Sequence, residues 1–216
     1  MYNTINKKSP LIAREGWKFI LFFISLSLLS LFLKTSIPSI LFFLLAVAIA
    51  GFFRDPRRIT PQEKGAIIAP ADGKIILMEQ DKDNKISLAI FLSPLDVHIN
   101  RSPISGKIKK IKYSKGNFIA AYKEDSSEIN EKNTIEIETD SGDNLSVTQI
   151  AGFIARRIVC WKKEGDYIEK GERFGLIQFG SRTDLIIPTG YQPCVSLGDR
   201  VRGGERIVAK SISISS

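Results

Sequence analysis

The chain has 216 residues, enough for one ordinary domain and a small appendage, with a formal net charge of +8 from 31 basic and 23 acidic side chains. Five basic residues and one acidic residue precede residue 54, so the charge is shared between both parts of the chain. No basic helix or base-stacking pattern accompanies it, which argues against nucleic acid and for an anionic membrane surface as partner. Two cysteines, Cys160 and Cys194, and a single histidine, His98, form neither a disulfide framework nor a metal-type spacing. The reading is a reducing cytosol, two ordinary core cysteines and no metal.

Residues 1–16 are a polar, basic segment. Residues 17–53 hold two apolar runs, Trp17 to Leu33 and Ile37 to Phe53, broken by Lys34-Thr35-Ser36. At about 1.5 Å per residue each run barely crosses a hydrocarbon core of about 30 Å. The expectation is a helical hairpin turning at Lys34 to Pro38, either transmembrane or embedded in one leaflet. Lys7, Lys8, Arg14 and Lys18 before it, and Arg54, Arg57 and Arg58 after it, keep both ends cytoplasmic. That places the protein on the cytoplasmic face of the cell (inner) membrane. A signal peptide cut after Ala48-Ile49-Ala50 fits less well, because the apolar length exceeds an ordinary h-region and the following flank is basic.

Residues 54–65 read as a polar, Pro-containing linker. Residues 66–216 read as a β-rich domain of short strands separated by Gly, Pro, Asn and Asp, among them Ala66 to Ala69, Lys74 to Met78, Ile86 to Phe91, Thr134 to Thr139 and Leu145 to Ile150. There is an internal echo at an offset of 33 residues. Gly165-Asp166-Tyr167-Ile168-Glu169-Lys170-Gly171-Glu172-Arg173-Phe174 matches Gly198-Asp199-Arg200-Val201-Arg202-Gly203-Gly204-Glu205-Arg206-Ile207, and Pro70-Ala71-Asp72-Gly73-Lys74-Ile75 matches Pro103-Ile104-Ser105-Gly106-Lys107-Ile108. The word Gly-Asp-x-apolar-x-x-Gly-Glu resembles the hammerhead turns of biotinyl and lipoyl carrier domains. The expected fold is therefore mostly β, a barrel or sandwich of pseudo-symmetric, hammerhead-like strand pairs.

The stretch from Phe174 to Leu185 is the centre of the chain. Alternation from Phe174 to Phe179 marks a half-buried strand, and a second apolar run, Leu185-Ile186-Ile187, stops at Pro188. Gly180-Ser181 lies between them. It reads either as a bulge or tight turn, or as a site where Ser181 Oγ attacks the carbonyl of Gly180, a residue whose missing Cβ permits the strained geometry.

Four words decide between these readings: Phe179-Gly180-Ser181-Arg182, Pro70-Ala71-Asp72-Gly73, Leu92-Ser93-Pro94-Leu95-Asp96-Val97-His98-Ile99-Asn100-Arg101, and Gln149-Ile150-Ala151-Gly152. Together, from about Phe52 to about Ala209, the chain resembles the short branch of the phosphatidylserine decarboxylases. The resemblance implies a zymogen of phospholipid biosynthesis that cleaves itself between Gly180 and Ser181. Ser181 becomes a pyruvoyl group, the cofactor whose ketone captures the substrate amine and accepts the electrons left when carbon dioxide departs. It implies that Asp72 assists self-cleavage and that His98 serves decarboxylation and reprotonation. The two fragments would stay associated, and a homo-oligomer is compatible with the family.

Larger members of the family carry a second histidine where this chain has Arg101. A guanidinium cannot act as a base, so Arg101 reads as an oxyanion or substrate ligand, and Asp72 is the remaining candidate for the base of self-cleavage. Arg156-Arg157 reads either as a solvated basic pair or as a clamp for the phospholipid phosphate. The rival reading is a membrane-tethered biotinyl- or lipoyl-like carrier or adaptor without catalytic activity. Such a carrier displays a modifiable lysine at the turn between its halves, where this chain has Gly180-Ser181.

Overall fold

Two apolar stretches at the start of the chain fold as antiparallel helices, α1 (Arg14–Phe32) and α2 (Ser36–Phe52). The computed structural model describes residues 10–116, 130–152, 157–178 and 181–212. The helices are joined by a tight turn in which Lys34 adopts a positive φ of 58°. Their open ends are fastened by Ala13 N–H to Phe53 O at 2.8 Å and Asp55 N–H to Leu11 O at 2.8 Å. Near the turn, Ser27 and Ser39 exchange hydroxyl-to-carbonyl bonds of 2.9 Å each, the pairing expected where apolar faces offer polar groups no water. Gly16 is required here, since a Cβ would collide with the Phe53 ring. Among the described residues α1 alone is long and apolar enough to cross a membrane; α2 is apolar but shorter. This unit ends at Arg57, and a separate compact unit begins at Arg58.

The second unit is mostly β, as the alternation and turn residues predict. Its strands are β1 (Ala66–Ile68), β2 (Gly73–Gln80), β3 (Ile86–Leu92), β4 (Ile99–Arg101), β5 (Gly106–Ser114), β6 (Lys132–Glu138), β7 (Asn144–Ala151), β8 (Arg157–Cys160), β9 (Tyr167–Ile168), β10 (Arg173–Gln178), β11 (Ser181–Ile187), β12 (Tyr191–Pro193), β13 (Arg200–Val201) and β14 (Ile207–Ser211). Eight of them form one sheet that curls into half a barrel, in the order β13-β2-β3-β11-β7-β6-β5-β9. Two three-stranded sheets, β4-β10-β8 and β1-β14-β12, complete the unit. The core is aliphatic. Ile75, Leu88, Ile90, Ile108, Ile135, Ile137, Val147, Leu185 and Ile187 project from alternate positions of the large sheet and pack with Phe174, Val201 and Val208.

The echo is a structural pseudo-symmetry, carried by matched strand pairs and backbone bonds. β13 pairs with β2 through Val201 and Gly73, and β9 pairs with β5 through Ile168 and Gly106. Gly198 N–H donates to Ile75 O at 2.9 Å, and Gly165 N–H donates to Ile108 O at 2.8 Å. Gly204 N–H to Ala69 O and Gly171 N–H to Ser102 O repeat the match. Gly73 and Gly106 are matched points of close approach, where a Cβ would strike the carbonyl oxygens of Phe91 and Glu138. Two expectations change. Cys194 is exposed rather than in the core, because Val195 takes the inward position of that segment. The 54–65 stretch also contributes buried side chains to the β unit, Thr60 and Arg58 among them.

Candidate active site

Strand pairing alone brings the central residues together. β11 lies between β3 and β7, with Ser181 opposite Leu92 on one side and Ala151 on the other. β10 lies between β4 and β8, with Leu176 opposite Ile99 and Gln178 opposite Arg157. In chain order 93–98 follows β3 and precedes β4, 152–156 follows β7 and precedes β8, and 179–180 follows β10 and precedes β11. Ser181, the described residue of the Gly180–Ser181 junction, is the middle residue of the row Leu92, Ser181, Ala151. Gly180 itself and Arg156 lie outside the described residues.

Ser181 is the first residue of β11 and is 0% exposed. Its Oγ has no hydrogen-bond partner among the described residues. Buried hydroxyls are nearly always satisfied, and an unsatisfied one costs about 1–3 kcal/mol, so its retention needs a reason outside stability. Thr183, Leu185 and Ile187 follow on the same buried face.

His98 closes the loop that runs beside the junction. It is 2% exposed, and its carbonyl accepts from Ile177 N–H at 3.2 Å. Nδ1 lies 2.9 Å from Asp96 O. A carbonyl can only accept, so Nδ1 carries the proton and Nε2 is the basic nitrogen of the neutral ring. The loop is held by the Asp96 carboxylate, which accepts from Ser93 N–H at 2.9 Å and from the Arg200 guanidinium at 2.5 Å.

Asp72 immediately precedes β2, the strand whose Lys74 faces Phe91 of β3, which in turn faces Arg182 of β11. It thus lies two strands from the junction, about 10 Å at about 4.8 Å per strand. Its carboxylate is engaged on both oxygens. Oδ2 takes the Arg58 guanidinium at 2.7 Å and Oδ1 takes Gly203 N–H at 2.8 Å, while Arg58 also reaches Glu205 at 3.3 Å. Arg101 is buried on β4 and donates to Gly171 O at 3.2 Å, with its Cδ packed against Gly204. It braces the two symmetry-related Gly-Glu turns. Arg157 is exposed, opposite Gln178.

Beneath the junction runs a chain of buried polar groups that the motif words do not reveal. Asn133, Gln149 and Thr183 stand in one row across β6, β7 and β11. Asn133 Nδ2 donates to Gln149 Oε1 at 3.0 Å, Gln149 Nε2 to Asn100 Oδ1 at 2.8 Å, and Asn100 Nδ2 to Thr183 Oγ1 at 3.0 Å. Asn100 reaches in from the smaller sheet, so the relay ties both sheets together two residues from Ser181. Gly175 makes room for it, since a Cβ there would sit 3.0 Å from Gln149 Nε2. A sequence signal existed in the amides of the Asn100 and Gln149 words, but their partners are residues apart in sequence that only the register joins. On the opposite face Arg182 grips Asp184 with two bonds, of 2.6 and 3.1 Å, beside a cavity of about 320 Å³. Burial pushes the Asp184 carboxyl up from its ordinary pKa, against the lowering effect of Arg182.

A family model described as phosphatidylserine decarboxylase matches residues 45–209, the greater part of the chain. The chain belongs to the phosphatidylserine decarboxylase family. Among its relatives, the phosphatidylserine decarboxylase proenzyme of Desulfotalea psychrophila is 44% identical over 207 residues, covering 93% of this chain and 97% of that one. Those of Symbiobacterium thermophilum and Nitrosomonas europaea are each 39% identical, covering 94% and 93% of this chain and 97% and 95% of their own lengths.

Proposed function

We propose that this chain is the precursor of a pyruvoyl-dependent enzyme that converts phosphatidylserine to phosphatidylethanolamine and carbon dioxide. The observation that carries the reading is the sealed Ser181 hydroxyl, unpartnered among the described residues, at the first position after the 179–180 crossing. In the proposed maturation Ser181 Oγ adds to the Gly180 carbonyl. The peptide C–N bond breaks as the ester C–O bond forms, and the serine nitrogen takes the proton. Loss of the Ser181 Cα proton then expels the Gly180 carboxylate. Water replaces nitrogen at Cα and ammonia leaves, giving a ketone at residue 181. The position fits such a group, because a buried site lined by Leu92 and Ala151 keeps bulk water away. When formed, the pyruvoyl supplies an electron sink for the substrate's α-amine and its departing carboxylate.

The surrounding residues have distinct proposed tasks. His98, with Nδ1 committed to Asp96, presents Nε2 for proton transfer at the substrate α-carbon. Asp72, clamped between Arg58 and Gly203, polarises the Ser181 side during self-cleavage. Exposed Arg157, with Arg156, receives the lipid phosphate, and Arg101 donates to a substrate oxygen from its buried seat. The fragments stay together because strands from both sides of the cut interleave. β11 lies between β3 and β7, β13 pairs with β2, and β14 pairs with β1. The biotinyl- and lipoyl-like strand pairing is read from the pseudo-symmetry, and the helical hairpin is read as the anchor that holds the enzyme on the cytoplasmic side of the membrane. The test is release of carbon dioxide from carboxyl-labelled phosphatidylserine. Wild-type protein should release it and Ser181→Ala should not; release by an uncut Ser181→Ala chain would overturn the proposal.

A further inference from the structure

Two turns on the surface of the β unit are built alike. In Ser93-Pro94-Leu95-Asp96, Asp96 N–H donates to Ser93 O at 2.9 Å, and Ser93 N–H donates back to the Asp96 carboxylate at 2.9 Å. In Ser196-Leu197-Gly198-Asp199 the same two bonds measure 3.1 and 3.0 Å. Each turn is thus closed from both ends, and each holds a leucine out into solvent: Leu95 is 84% exposed and Leu197 is 64% exposed. A closed turn that displays a large apolar side chain gains nothing for the fold from doing so.

The two turns are one surface. Arg200, the residue that directly follows the second turn, binds Asp96 of the first. Lys74 pairs with Arg200 in the sheet, and its side chain lies against Gly198. The first turn also begins the loop that ends at His98, so this surface borders the candidate site.

The pseudo-symmetry supplies an internal control. Leu197, Arg200 and Arg202 correspond to Glu164, Tyr167 and Glu169 in the other repeat. The two copies share the backbone bonds of their glycine turns, yet the copy at 197–202 carries an exposed leucine and two arginines, where the copy at 164–169 carries two glutamates and a tyrosine. Backbone geometry cannot require that difference, since both sequences satisfy it.

We propose that the paired turns, with Leu95 and Leu197 at their tips and Lys74, Arg200 and Arg202 around them, dock the β unit on an anionic phospholipid bilayer. The leucines enter the acyl boundary and the cations meet lipid phosphates, which sets the His98 loop against the surface from which the lipid head group is drawn. The proposal deepens the decarboxylase reading, because a buried site acting on a bilayer lipid has to be brought to that lipid.

The test uses the full chain in vesicles and reads docking apart from catalysis. An environment-sensitive fluorophore is placed at Leu197→Cys or at Glu164→Cys, in a chain whose Cys160 and Cys194 are serine. On adding phosphatidylglycerol to phosphatidylcholine vesicles, the probe at 197 should shift to the blue and the probe at 164 should not. Equal behaviour at the two positions would overturn the proposal whether or not the protein turns over substrate. In the enzyme assay, Leu95→Asp/Leu197→Asp should lose about tenfold or more on bilayer phosphatidylserine, as expected for two leucines that no longer leave water. It should keep its rate on a monomeric short-chain phosphatidylserine and its normal two-fragment pattern. An unchanged rate on vesicles, or an equal loss on both substrates, would refute docking. A blue shift at 197 in a protein that decarboxylates neither substrate would instead refute the decarboxylase reading and leave docking supported.

Discussion

Replacing Gln149 by leucine removes the central link of the buried amide relay while keeping nearly the same volume. Gln149 accepts from Asn133 at 3.0 Å and donates to Asn100 at 2.8 Å, and all three residues are buried. The substitution orphans one amide N–H and one amide oxygen where water cannot replace the lost partner. At about 1–3 kcal/mol for each, the cost is about 2–6 kcal/mol, a large share of the roughly 5–15 kcal/mol that holds an ordinary domain together. The measurement belongs in the Ser181→Ala background, where the chain stays in one piece and unfolding does not depend on fragment concentration. With a urea slope of about 3 kcal/mol/M, the midpoint should fall by about 0.7–2 M at constant slope. A further Asn100→Leu change should cost less than its single-variant value, because the two residues share the network. In the cleavable chain, Gln149→Leu should also slow self-cleavage, since Asn100 fixes Thr183 two residues from Ser181. A loss below about 0.5 kcal/mol, or strict additivity of the two changes, would refute the relay as a stabilising unit.

His98→Ala should still yield two fragments but release carbon dioxide about 10²–10⁴-fold more slowly, whereas Asp72→Asn should accumulate uncut chain; an uncut His98→Ala chain would reverse that division of labour. The Tyr191 hydroxyl is pushed up to about 12 by burial, with the Asp143 carboxylate at 3.1 Å adding to the effect. Its contribution to stability is full below the unfolded value of about 10 and is lost as pH rises through the folded value. Tyr191→Phe should therefore show a shallower decline between pH 10 and 12 in urea titrations, and identical slopes would contradict it. For topology, cysteines at Asn3 and at exposed Lys64 should both escape an impermeant reagent in intact cells, since both ends of the hairpin are expected in the cytoplasm. Arg58 is unsuitable as a reporter, because it is buried against Asp72.

The elements written in local pattern were legible in the sequence. Apolar runs broken by Lys34-Thr35-Ser36 foretold two helices, and period-two alternation foretold β2, β3, β6, β7 and β10. The repeated Gly-Asp turns foretold pseudo-symmetric strand pairs, and the structure shows which strands they are, β13 with β2 and β9 with β5. β11 was only half visible, since Arg182 and Asp184 break the apolar run that begins at Leu185, and their mutual ion pair is what allows them into a strand. The family words pick out Ser181, His98 and Asp72 as candidate site residues, and the proposed roles rest on them. The supports around them were not legible. Arg58 lies in a stretch whose composition reads as a linker, and nothing local says that its charge is spent on Asp72 and Glu205. The Asn133–Gln149–Asn100–Thr183 relay is likewise a product of register between strands distant in sequence, which periodicity does not encode.

The most direct test of the central claim is an intact mass spectrum of the purified protein, separated under denaturing conditions. The account predicts two chains: one ending at Gly180, and one comprising residues 181–216 that is lighter by one ammonia than the peptide beginning with serine, with a reactive ketone in place of an amino terminus. A single chain of 216 residues, or a small fragment that begins with an intact serine amine, would contradict it.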